Sequence, residues 1–143
     1  MRHNKFFSTA TIALSTIAFF TITGFKTNQA PTVKSTPVHI IAVYDFSTFP
    51  DVHGTFTTEG ALGISGASEM IIGPNENGVR AHCVVTLVTP QGTITIHQEC
   101  QFSSSPAKGR WEIVSGTGAY ANMRGNGSLT MPPNTEDMTG VIF

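Results

Sequence analysis

The stretch Trp111–Met131, WEIVSGTGAYANMRGNGSLTM, decides how the rest of the chain is read. Before its central glycines, Trp111, Ile113 and Ser115 alternate with Arg110, Glu112 and Val114. After them, Gly125, Gly127, Leu129 and Met131 alternate with Asn126, Ser128 and Thr130. A period of two belongs to a strand with one face toward a core, so the stretch reads as strand, glycine turn, strand. Gly116, Gly118 and Ala121 also match the spacing of a dinucleotide-binding turn, and Glu136 stands where a ribose-binding acid would. That chemistry needs a helix N-terminus facing the pyrophosphate. Gly125 and Gly127 follow too soon for a helix, so a tight turn is the better reading and no cofactor is expected.

Outward from this stretch the same alternation continues, with Gly or Pro every eight to twelve residues and no segment of helical period. Such spacing marks an antiparallel barrel or sandwich. Eight strands are expected: Val38–Phe46, Gly54–Ala61, Gly66–Ile72, Val79–Thr89, Gly92–Phe102, Gly109–Ser115, Gly125–Met131 and Met138–Phe143. The first is apolar on both faces, with Ile40, Ala42 and Tyr44 opposing Ile41 and Val43, which predicts a cover over its outer side. Pairing the last strand with the first would close the sheet and remove both edges. The expected fold class is therefore all-β, an eight-stranded antiparallel β-barrel over residues 38–143.

The hairpin around Gln91 and Gly92 carries the sharpest local expectation. With those two residues as the loop, Pro90 pairs with Thr93 and partner numbers sum to 183, which places Cys83 opposite Cys100. In that register the pair is of the non-hydrogen-bonded kind, whose Cα atoms approach to about 4.5 Å, within disulfide range. A disulfide between Cys83 and Cys100 is expected on this basis, and a loop of three or four residues would slip the register and leave two buried thiols.

Residues 1–30 read as a signal peptide or N-terminal anchor. Arg2 and Lys5 precede twenty residues, Phe6–Phe25, without a charge, seven of them Ser or Thr. A polar tether, 31–37, follows. Export to the cell surface, periplasm or medium is expected, with membrane contact only through residues 6–25 if the leader is retained. Residues 31–143 hold five Lys/Arg, scattered, against nine Asp/Glu, a net charge of −4. Nothing there resembles a phosphate-tracking surface, so nucleic acid is not an expected partner.

Several constellations have residue types that can carry chemistry. His82, His97 and Glu99 share a polar face and could bind zinc, but alternation alone predicts a hydrophilic outer wall there, and no metal is expected. Ser65, Ser68 and Ser103–Ser105 lack a nucleophile-elbow context. Glu59 and Glu69 lie on neighbouring strands without a defined common face. Asn126-Gly127-Ser128 is a formal glycosylation acceptor in a eukaryotic secretory host. The remaining feature is an apolar interior wide enough for side chains or one small ligand. Phe56, Leu87, Ile96, Phe102, Trp111 and Ile113 are the expected ligand-binding wall, and Tyr120 its mouth.

Gly54-Thr55-Phe56-Thr57-Thr58-Glu59-Gly60, Gly66-Ala67-Ser68-Glu69, Gly92-Thr93-Ile94-Thr95-Ile96, Trp111–Tyr120 and Arg124-Gly125-Asn126-Gly127 together resemble small secreted bacterial proteins of the allene oxide cyclase barrel-like group, whose architecture plant dirigent proteins share. The resemblance spans about residues 38–143. It implies an eight-stranded barrel, trimeric in many plant members, whose cavity confines a hydrophobic substrate in one reactive conformation. No catalytic residue carries over by position. Two functions are thus expected from the sequence: an exported barrel that binds a small apolar molecule with cyclase or isomerase activity, or a non-catalytic surface protein that self-associates through its wall into a homo-oligomer.

Overall fold

A computed structural model describes residues 34–73 and 77–143. The expected leader, 1–30, and tether residues 31–33 lie outside the described residues; Thr36 and Pro37, expected in the tether, open the first strand. Eight strands follow in order: β1 Thr36–Asp45, β2 Asp51–Gly60, β3 Ser65–Ile72, β4 Arg80–Thr89, β5 Gly92–Gln101, β6 Ala107–Gly116, β7 Gly125–Met131 and β8 Thr135–Ile142. Each pairs antiparallel with the next, and β8 returns to β1 with Ile40 opposite Met138, closing a barrel. No strand edge is left unpaired among the described residues, which is how an antiparallel sheet of this size avoids edge-to-edge association.

Alternation sorts the side chains. On β1, Val38, Ile40, Ala42 and Tyr44 are buried, and on β4 Ala81, Cys83, Val85 and Leu87 are. Phe56, Met70, Leu87, Ile94, Ile96, Trp111, Ile113, Leu129 and Met138 fill the interior, each 2% exposed or less. Burying one such side chain contributes about 1.5–3 kcal/mol, so this cluster is the main source of stability. Trp111 lies across the inner wall of β7 and β8. A Cβ on Gly140 would sit 2.6 Å from its ring, and the indole Nε1 donates to the carbonyls of Ser128 and Thr139 at 3.1 and 3.2 Å. The absence of a side chain at Gly140 is what makes room for the ring.

The structure corrects three expectations. The β4–β5 loop is Pro90-Gln91, with Thr89 opposite Gly92, so partner numbers sum to 181. Cys83 therefore faces Gln98, and Cys100 faces Ala81. The Thr89 hydroxyl accepts from the Gln91 N–H at 3.1 Å and donates to the Gly92 carbonyl at 3.0 Å, which holds the tighter turn. The disulfide is replaced by two free cysteines, Sγ to Sγ 4.0 Å. Finally, no second layer covers β1 among the described residues: Val43 is 52% exposed, and His39 on the same outer row bonds Glu59 and Asp137 at 3.0 Å each.

Between β6 and β7 the glycine stretch forms a single 3₁₀ turn, Gly118–Tyr120, before β7 begins at Gly125. The phosphate-cradle geometry is not built here.

Candidate functional site

The interior is divided along the barrel. Toward the β4–β5 loop it is apolar, with Val85, Leu87, Ile94, Ile96, Phe56 and Ile113 closed off by Tyr120, whose hydroxyl lies 3.3 Å from that of Thr89. Toward the opposite end the inward positions carry Tyr44 from β1, Ser68 from β3, Cys83 from β4, Gln98 and Cys100 from β5, and Glu136 from β8, all buried. Five strands thus contribute to one polar girdle in an otherwise apolar lumen.

Local structure explains how each member arrives. Tyr44, Gly54 and Ser68 stand in one cross-strand row of β1, β2 and β3. A Cβ on Gly54 would lie 2.9 Å from the Tyr44 ring, so the glycine lets the ring lie flat over β2 toward Ser68. Glu136 pairs with Ala42, one inward position before Tyr44, and the Tyr44 Oη donates to its Oε2 at 3.2 Å. The other oxygen, Oε1, and the Ser68 hydroxyl are buried without a partner among the described residues. On the far wall, Gln98 Nε2 donates to Met138 Sδ at 3.4 Å, and Cys100 Sγ lies 4.0 Å from both Gln98 Oε1 and Cys83 Sγ.

Burial dominates the electrostatics. Loss of water pushes Glu136 up to about 7, against the opposing pull of the Tyr44 hydrogen bond and the nearby Gln98 amide. Burial and the adjacent Glu136 carboxylate push the Tyr44 phenol up, keeping it a donor. Donation to Cys83, together with burial, holds the Cys100 thiol protonated, and accepting that bond lowers Cys83. An acid that titrates near neutrality, next to a phenol that does not, is a proton store in a buried site.

At the end nearest the girdle lies an apolar cleft of about 660 Å³, lined by Phe46, Phe49, Pro50, Ile72, Ala81 and Phe102. Phe49 is 65% exposed and Phe102 39%. Two cleft residues are direct cross-strand partners of the girdle's cysteines: Ile72 pairs with Cys83, and Ala81 with Cys100. The cleft therefore stands over the polar half of the lumen.

Of the expected ligand wall, Phe56, Leu87, Ile96, Trp111 and Ile113 do point inward together, but packed against one another in the filled core. Tyr120 is buried at the far end, and Phe102 falls past the end of β5 on the cleft rim. His82 opposes Glu99 directly on the outer wall, while His97 opposes Val84 and Glu112. Among the described residues no three His, Cys, Asp or Glu side chains converge as metal ligands. The sequence reading missed Glu136 because it began the last strand at Met138. Extending the same alternation back by two residues would have turned Glu136 inward.

No protein-family model matches this chain, and comparison with curated proteins gives no significant match. What fold and site define is a class: a closed eight-stranded antiparallel barrel with a buried acid–phenol–thiol girdle beneath an aromatic cleft.

Proposed function

We propose that this is an exported barrel that binds a small apolar molecule at its aromatic end and holds it against the polar girdle, where cyclase or isomerase chemistry is supported by confinement and proton transfer. The observation that carries the reading is the apolar cleft, with three phenylalanines on its walls, set directly over the girdle. Isomerisation and cyclisation ask for one held conformation and a proton donor or acceptor of matched pKa. Glu136 fits that requirement, with Tyr44 bonded to it as the group that fixes its orientation. The resemblance to allene oxide cyclase barrel-like proteins supports the same class of ligand. Export is part of this reading, and mass spectrometry of the N-terminus of exported protein tests it: loss of residues 1–30 supports cleavage, and an intact Met1 supports the anchor.

Binding is tested with a fluorescent fatty-acid probe titrated into wild-type protein and into Phe49→Ala and Phe102→Ala. Losing one phenyl contact from an apolar site costs roughly tenfold or more in affinity. Equal affinity in all three proteins would refute the cleft as the binding site.

A second reading, self-association without catalysis, is favoured by the outer wall. Thr135, Val43, Thr55, Ala67, Val88 and Thr93 form an uncharged row across six strands. Light scattering of wild type and Val43→Lys separates the readings: an oligomer dissolved by the lysine supports this one, and a monomer in both rejects it.

A further inference from the structure

We propose that Cys83 and Cys100 bind one soft, low-coordinate metal ion, Cu(I), inside the barrel. The thiols are each 1% exposed, 4.0 Å apart sulfur to sulfur, and related diagonally by the β4–β5 register. Diagonal neighbours across an antiparallel pair are separated by about 7–8 Å, beyond the Cα spacing of about 4.4–6.8 Å that a disulfide accepts. Two sulfurs sharing one ion need no such approach. At the zinc–thiolate bond length of about 2.3 Å, two sulfurs on one ion stand about 3.8 Å apart at a tetrahedral angle and about 4.6 Å apart when linear. The observed separation falls inside that interval. The slipped register therefore replaces the expected disulfide with a two-sulfur bite.

The surroundings select the ion. The two sulfurs have no third His, Cys, Asp or Glu ligand beside them among the described residues, so a cation that demands four hard or borderline ligands is poorly served. A soft ion is content with thiolates and thioethers. The Met138 thioether is one side chain away, bonded to the Gln98 amide whose oxygen lies 4.0 Å from Cys100 Sγ. Binding breaks two S–H bonds, forms two metal–sulfur bonds and releases two protons, with no change of oxidation state. One positive charge against two thiolates leaves a single negative charge, less costly to bury than two. Entry runs through the aromatic cleft, since Ile72 and Ala81 on its wall are the cross-strand partners of Cys83 and Cys100.

The inference is independent of the apolar-ligand reading. The test is anaerobic titration of the purified full chain with Cu(I) in competition with bicinchoninate, alongside Cys83→Ala and Cys100→Ala variants whose folding is checked by circular dichroism. One equivalent held by wild type, with affinity lower by about 100-fold in either variant, is expected. X-ray absorption of the wild-type complex needs no variant and should show a first shell made of sulfur alone. A first shell of nitrogen or oxygen, or wild-type retention by the double alanine variant, overturns the site.

Discussion

Tyr44 Oη donates to Glu136 Oε2 across 3.2 Å inside the closed barrel, while Glu136 Oε1 meets no polar partner among the described residues. One oxygen satisfied and one not makes Glu136 the residue whose protonation state the fold controls most directly.

Stability is therefore expected to follow Glu136. Its folded pKa, about 7, lies above the unfolded value of 4.5, so the native state holds a proton that the unfolded chain has released between those values. The contribution of this group is fully present below about pH 4.5, falls as pH rises through 7 and then levels, a loss of about 3 kcal/mol. Urea unfolding of wild type and Glu136→Gln from pH 4.5 to 8 checks this: the variant should lose most of the slope. Parallel profiles would show that the carboxyl is better solvated than its burial indicates.

A second pH dependence belongs to the outer wall. His39 bonds Glu59 and Asp137, and the bond to Glu59 chiefly raises its pKa above 6.5 against the opposing effect of burial. Its contribution is fully present below pH 6.5 and disappears as pH rises through the raised value. The His39 ring proton shift, followed by NMR, should titrate above 6.5 and move back toward that value in Glu59→Gln. Half-exposed pairs of this kind are screened, so the effect on stability should shrink in high salt.

Gly140→Ala should be costly. The added Cβ would collide with the Asn126 carbonyl oxygen and approach the Trp111 ring. Overpacking of this kind typically costs about 1–3 kcal/mol, read as a lower urea midpoint together with altered tryptophan fluorescence. An unchanged midpoint would mean that β7 and β8 can separate without penalty.

Thiol counting checks the β4–β5 register. Protein denatured without reductant should show two reactive thiols, because Cys83 and Cys100 are diagonal and unbridged. In the native state both should react slowly, being 1% exposed. Two unreactive cysteines after denaturation would indicate a direct sulfur–sulfur bond and a different register.

Much of this architecture is legible in residue order. Alternation at Trp111–Ile113 and Leu129–Met131 marks two strands, the apolar side chains of β1 and the late strand at the C-terminus suggest closure, and Gly125 and Gly127 leave no room for a helix. The site is less legible, for two reasons seen in particular residues. Thr89, by capping the Pro90-Gln91 turn, moves β5 by two residues against β4, which keeps every face but changes every partner. Glu136 lies in a polar run, Asn134-Thr135-Glu136-Asp137, whose composition suggests a loop.

The sequence by itself determined which side of each strand meets the core, because side-chain direction alternates locally and needs only neighbouring residues. Tertiary structure alone decided that Tyr44, Ser68, Cys83, Gln98, Cys100 and Glu136 share one end of the lumen. That grouping depends on the register of separate strand pairs around a closed circuit, and register is set by turn hydrogen bonds and packing between residues far apart in the chain.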